Sequence, residues 1–422
     1  MTRFGRPMRR RFLLEPRTAF LNHGSFGTAP RAVLAAADRW RRRMEANPDR
    51  FLRSVLPGAL RGAAGQLSRF LQVKEEDLAF VENATSGVNA VLRSLEFRPG
   101  DEILATTHTY NAVRQTIRHV CARSGARLVE ARIVLPVRNE SDLVSPIESR
   151  LSRRTRLLVL DHISSPTGLI FPVKRLVRLA RERDARVLVD GAHAPGQLEL
   201  DIAALGVDWY AGNCHKWLFA PKGCGFLWAR AGAQEGLHPP VISHGYGKGL
   251  AAEFDWTGTR DFSSWLAVAD AIDFCLELKP SRIRAYNHRV VTEAANRISA
   301  AWGTPLDGPE ALHGSMMAIR LPGHLQRSNP SELMRDFFTR HRLVVAVMVV
   351  GGALWARISA QIYNLPQDYE RLLSAAKIIQ ASSRTVATMK ARLIGRVKNA
   401  EGSPRESSMA RRRYSSSSGP ST

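Results

Sequence analysis

Apolar and polar positions along the chain repeat in two ways. Short apolar runs closed by glycine, proline or polar residues read as buried strands: Leu78–Val81, Glu102–Ala105, Arg156–Asp161, Arg186–Asp190, Val207–Tyr210 and Gly225–Trp228. Segments with helical spacing lie between and before them. One runs through Trp40 and Met44, one begins near Val88, and one spans Pro172 to Arg183 with Val173, Leu176, Val177 and Ala180 on a single face. This reads as α/β. From about Asp261 a helical stretch leads into a smaller α+β lobe that ends in the strand Trp355–Ser359 and the run Ala360–Asn364. The most apolar segment, Leu343 to Leu354, contains two glycines and predicts a strand and turn. No apolar run reaches the ~20 residues that a membrane-spanning helix needs.

Composition narrows the class. A chain of 422 residues with 44% hydrophobic residues buries a large core in two lobes. The net charge of +23 is spread over helical stretches and both ends, which reads as solvated surface and argues against a nucleic-acid partner. Residues 1–19 form a basic segment in which Glu15, Pro16 and Arg17 interrupt any apolar run, so no signal peptide is expected. Residues 394–422, rich in serine and arginine, predict a disordered basic tail. Cys121, Cys214, Cys224 and Cys275 have neither disulfide-framework nor zinc spacing, as expected of a cytoplasmic protein without a metal.

The chemistry centres on Val207 to Trp228. Lys216 follows Gly212, Asn213, Cys214 and His215 and precedes Trp-Leu-Phe. Apolar neighbours and an adjacent positive group push such an amine toward its neutral, nucleophilic form, which suits Schiff-base chemistry. Upstream, Asp190 ends a strand, where ligands of open α/β sheets bind. A carboxylate there keeps a pyridine nitrogen protonated, so Lys216 and Asp190 together suggest pyridoxal phosphate. The strand Leu78–Val81, the turn Glu82–Gly87 and the helix start place backbone N–H groups and the hydroxyls of Thr85 and Ser86 at a positive helix end, a phosphate cradle. His108 or Tyr110, after the strand Glu102–Ala105, supplies a flat partner for a ring.

VLVDGAHAPG followed by GNCHKW resembles the class V aminotransferase superfamily of fold type I pyridoxal-phosphate enzymes, and within it the isopenicillin N epimerase-like group. The resemblance runs from about Phe20 to Tyr369. It implies a large cofactor-binding domain over 20–260, with a mostly parallel sheet flanked by helices, and a small α+β domain over 261–393. It further implies that Lys216 carries the cofactor and acts as base, with Asp190 on the ring nitrogen and His193 near the ring hydroxyl. Thr85, Ser86, Asn213 and His215 would hold the phosphate, with Thr259 reaching a neighbour's phosphate across a homodimer. His108 is the family's stacking residue, but Thr107 stands where the group has an acid, which keeps Tyr110 in play. Ser165 replaces an asparagine frequent in relatives. Arg357 is expected on the substrate's α-carboxylate, Asn22 and His23 at the mouth, and Arg260 paired locally with Asp261 or Asp255. The activity implied is epimerisation or racemisation at an amino acid's Cα, with C–S lyase or aminotransferase chemistry as alternatives. Persulfide-forming desulfurases of the superfamily need a mobile cysteine in the C-terminal half. Cys275 lies in a helical pattern, which argues against that branch. A nucleic-acid-binding use of the fold is the remaining rival, and the joint presence of Lys216, Asp190, His193, His215, Thr85 and Arg357 argues against it.

Overall fold

The computed structural model describes residues 3–378, and the fold below is that of residues up to Ser374. The basic tail expected over 394–422 and the end of the small domain lie outside the described residues. The strands in chain order are β1 (Ala19–Phe20), β2 (Leu78–Val81), β3 (Glu102–Thr106), β4 (Arg127–Ala131), β5 (Thr155–Asp161), β6 (Arg186–Gly191), β7 (Trp209–Asn213), β8 (Gly225–Ala229), β9 (Met316–Arg320), β10 (Leu343–Val344), β11 (Ala346–Val350) and β12 (Ala353–Ser359).

Seven of them form one sheet in the order β2-β8-β7-β6-β5-β3-β4. The inner strands β5, β6 and β7 are apolar and buried on both faces, as a helix-covered parallel sheet requires. β8 runs against both of its neighbours, while the other pairs are parallel. One sheet edge therefore collects the exits of β2, β3, β5, β6 and β7 together with the entry of β8. Helices Ala84–Ser94, Asn111–Ser124 and Val173–Arg181 connect the parallel strands.

β7 begins two residues later than the apolar run suggests and continues through Gly212 and Asn213. These are turn formers by propensity, yet they pair with Phe226 and Gly225 of β8, and the ladder overrides the local preference. Asp208 is withdrawn from the strand because its buried carboxylate takes Arg181, Arg230 and the Val187 N–H.

A second, three-stranded antiparallel sheet has the order β11-β12-β9. Arg357 lies on its central strand, opposite Ala346 on one side and Ala318 on the other, and these small neighbours leave room for a buried guanidinium. The short pair β1 and β10 ties the N-terminal segment to this sheet. That segment then crosses to the Lys216 turn. Gly27 allows the crossing with a φ of +65°: a Cβ there would meet the His215 carbonyl oxygen at 2.1 Å and the Lys216 Cα at 2.7 Å.

Candidate active site

A cavity of about 500 Å³ opens at the sheet edge where the strand exits gather. Lys216 enters it from the turn between β7 and β8. The base of that turn is fixed by the Cys214 and His215 N–H groups, both donating to the Cys224 carbonyl. Burial, and after it the Arg357 charge, lowers the Lys216 ammonium to about 8, against an opposing pull from Asp190. The sequence had offered His215 as the positive neighbour. Burial holds His215 at about 4, so it is neutral and the neighbouring cation is Arg357.

Lys216 Nζ lies 3.1 Å from His193 Nε2, and Trp217 Nε1 donates to His193 Nδ1 at 3.3 Å. The imidazole is held neutral by burial and the surrounding cations. Because Nδ1 accepts, the ring hydrogen stands on Nε2, which then donates to an uncharged Lys216 amine. Trp217 thus fixes the tautomer that favours a nucleophilic lysine, a role the sequence reading missed.

Asp190, at the end of β6, is buried in the cavity floor and accepts the Ala192 N–H at 2.9 Å. Burial raises its carboxyl above the usual range, opposed by that N–H and by Lys216. Asp161 lies beside it on β5 and also lines the cavity. In the sequence Asp161 stood out only as a strand end, although that is the signal by which Asp190 was found. Ser165 lines the same cavity.

The strand, turn and helix that the sequence reads as a phosphate cradle are present, and the helix starts one turn earlier than predicted, at Ala84. Asn83 caps helix Ala84–Ser94 by accepting the Ser86 N–H, while Asn213 accepts the Ala84 N–H at 2.8 Å. Asn213 therefore organises the cradle by locking two strand exits together. Thr85, Ser86, Asn213 and His215 all line the cavity. Arg260 pairs with Glu82 at the cavity rim, not with Asp261 or Asp255, which are taken by Arg41 and Arg61. Ion pairs reaching across the fold outcompete these chain neighbours.

Arg357 is buried, donating to the Ser165 carbonyl, to Asn22 Oδ1 at 3.0 Å and to Ser25 Oγ at 2.9 Å. Desolvation brings it down to about 10. Asn22 is thus committed to the arginine. His23 bonds Tyr363, Gln361 and the Lys216 carbonyl, behind the lysine and outside the cavity lining. Tyr110 lines the cavity. His108 does not, and is buried with both ring nitrogens unpartnered. Thr259 lines a separate cavity of about 480 Å³ with His244 and Trp256.

A reactive lysine, a buried carboxylate at a strand end and a helix N-terminus, all facing one cavity, define a pyridoxal-phosphate site on an α/β sheet. The chain matches the aminotransferase class-V family model over residues 21–337 and belongs to that family. It is 34% identical to putative L-cysteine desulfhydrase 1 of Oryza sativa subsp. japonica, over 89% of this chain and 86% of that one. It is 35% identical to isopenicillin N epimerase of Streptomyces clavuligerus, over 87% and 96% respectively. The apo cysteine desulfurase of Thermococcus onnurineus NA1 superposes with a TM-score of 0.77 at 20% identity, covering 90% of this chain and 99% of that one. The cofactor is pyridoxal 5′-phosphate, and the cavity offers an amine, an anion and phosphate donors where that group needs them. No helix among the described residues is long and apolar enough to cross a membrane.

Proposed function

We propose that this enzyme removes the Cα proton of an amino acid and returns one to the opposite face, as an epimerase or racemase. One observation carries the reading: Lys216 and Tyr110 line the same cavity, together with Asp190 and Asp161. Lys216 follows β7 and Tyr110 follows β3, with β6 and β5 between them. At ~4.8 Å per strand the ends of β7 and β3, from which these two residues follow, stand ~14 Å apart. That spacing suits two proton-handling groups working on two faces of one substrate.

Bound pyridoxal phosphate supplies the electron sink that makes a Cα proton removable. The neutral Lys216 amine takes that proton, and the Tyr110 phenol gives one from the other side. Arg357 stands behind Ser165 and Ser25 of the cavity lining and exchanges its bonds to Asn22 and Ser25 for the α-carboxylate, which its planar fork suits. Asp190 would keep the ring nitrogen protonated, and His193 and Ser165, which line the same cavity, would hold the ring hydroxyl. Thr85, Ser86, Asn213 and His215 hold the phosphate, supplying orientation. Thr259, outside this cavity, serves a second copy's phosphate in a homodimer. The domain division at residue 260 follows the same reading.

Loss of a thiol from Cβ is the second reading, favoured by the desulfhydrase relative. It uses the same Lys216 and Arg357. Cys275 is buried in helix Val268–Glu277, which supports neither a mobile thiol nor a persulfide-forming branch. The test is a panel of L-amino acids in deuterated water, with Lys216→Ala beside the wild type. Deuterium at Cα with loss of optical purity supports the epimerase. Sulfide with a 2-oxo acid moves the assignment to the lyase, and no lysine-dependent exchange with any substrate overturns both.

A further inference from the structure

β5 and β6 run parallel in a register that sets Asp161 directly against Asp190. Both carboxylates are buried, and both line the Lys216 cavity. Burial, and after it the Asp190 charge, pushes the Asp161 carboxyl well above the usual carboxylate range, against an opposing pull from the Tyr110 N–H and the Thr109 hydroxyl. Its Oδ2 is buried without a partner. Paired positions on parallel strands lie ~5 Å apart, and of two buried carboxyls on such positions one keeps its proton, because each disfavours the charged form of the other.

We propose that Asp161 is a positioning residue that retains a proton as a neutral acid, so that the negative charge of the pair rests on Asp190. The inference rests on the pyridoxal-phosphate site described above, where Asp190 meets the ring nitrogen. Three observations assign the proton to Asp161. Lys216 stabilises charge on Asp190, whereas the charged group that acts on Asp161 is Asp190 itself. The unpartnered Oδ2 is the atom on which an acid hydrogen can stand. Among the described residues, the other titratable side chains near the pair are uncharged: burial keeps His108, His162 and His193 neutral, and Tyr210 is a neutral phenol bonded to His162. Arg357 acts on Lys216 and His193 instead.

The consequence is measurable without cofactor. A carboxyl whose proton is held in the folded state and released in the unfolded state at ~4 contributes stability below pH ~4, and loses it as pH rises through the folded value. Asp161→Asn places an amide N–H where the acid O–H stands and has no proton to lose. The apoprotein is to be unfolded in denaturant from pH 4 to 8 in both forms. The expected result is that the wild type weakens relative to D161N as pH rises, by about tenfold in the unfolding constant per unit of raised pKa. Parallel pH profiles would overturn the proposal.

If D161N does not fold, the infrared signature of a neutral buried carboxyl in the wild-type apoprotein at pH 7 decides instead, and its absence overturns the assignment. Cofactor titration adds a separate arm. D161N is expected to lose at least tenfold less affinity for pyridoxal phosphate than D190N, which loses roughly 10²-fold or more, as when one partner of a buried pair is removed. Equal losses in both variants, or a larger loss in D161N, would show that the charge does not rest on Asp190 and refute the proposal. A wild type that binds no cofactor would sink the site reading while leaving the apoprotein comparison intact.

Discussion

Replacing Gly27 by alanine tests whether the N-terminal segment fixes the lysine turn. The residue has φ +65° and ψ 179°, a region essentially reserved for glycine that costs an L-residue ~1–3 kcal/mol. The added methyl would also stand 2.1 Å from the His215 carbonyl oxygen and 2.7 Å from the Lys216 Cα. These are backbone atoms, held by the Cys224 carbonyl, so relief requires the turn or the segment to move. Overpacking of this kind costs a further ~1–3 kcal/mol, which brings the total to ~2–6 kcal/mol against a stability of ~5–15 kcal/mol. A lysine displaced by ~1 Å loses on the order of 10²-fold in rate. The assay is denaturant unfolding, Cα-deuterium exchange and cofactor absorbance of Gly27→Ala, beside Gly62→Ala. Gly62 lies within helix Leu56–Leu71 with nothing within 4 Å of its built Cβ, so alanine there should stabilise by ~0.5–1 kcal/mol. Equal stability and exchange in G27A and the wild type would refute the close contact.

Three further outcomes are expected. Uptake of pyridoxal phosphate by the apoprotein should quicken as pH rises to about 8, where Lys216 loses its proton, and then level. Continued acceleration to pH 10 would deny the lowered amine. Trp217→Phe removes the donor to His193 Nδ1 and frees the other tautomer, so the midpoint of that profile should move upward; an unmoved midpoint would leave Trp217 a packing residue. Arg357→Lys should raise KM for the amino acid about tenfold or more with a smaller change in kcat, since a point charge replaces a fork. Asn22→Ala should do the same more weakly, by about fivefold for one lost hydrogen bond; unchanged KM in both would remove Arg357 from the carboxylate.

The inner strands were legible because a parallel sheet buried on both faces writes itself as continuous apolar runs, and β2 matches its sequence reading from Leu78 to Val81. That Lys216, Asp190 and the Glu82–Gly87 turn share one cavity was legible for a related reason: each stands at or shortly after the end of a strand, so local order gives spatial order. What was obscure depends on pairing between distant segments. Nothing near Asn22 announces that its amide oxygen holds an arginine 335 residues away. Arg260 was matched to its chain neighbours because the closeness of Glu82 exists only in the folded sheet. That Tyr110 and not His108 lines the cavity turned on which side of a turn faces it, and two residues of spacing do not decide that without the backbone.

The reversed strand β8 has a consequence for assembly. Pairing with β2 on one side and β7 on the other, it joins the phosphate turn to the lysine turn, and the Asn213 amide seals that junction to Ala84 across 129 residues. Neither turn can reach its final neighbour until β8 has been synthesised and has docked, and such distant pairings form late because the intervening chain must first be ordered. Cofactor-binding competence should therefore appear abruptly during refolding. The chain gains it when the last strand closes the sheet, and any fragment ending before Gly225 should lack it altogether.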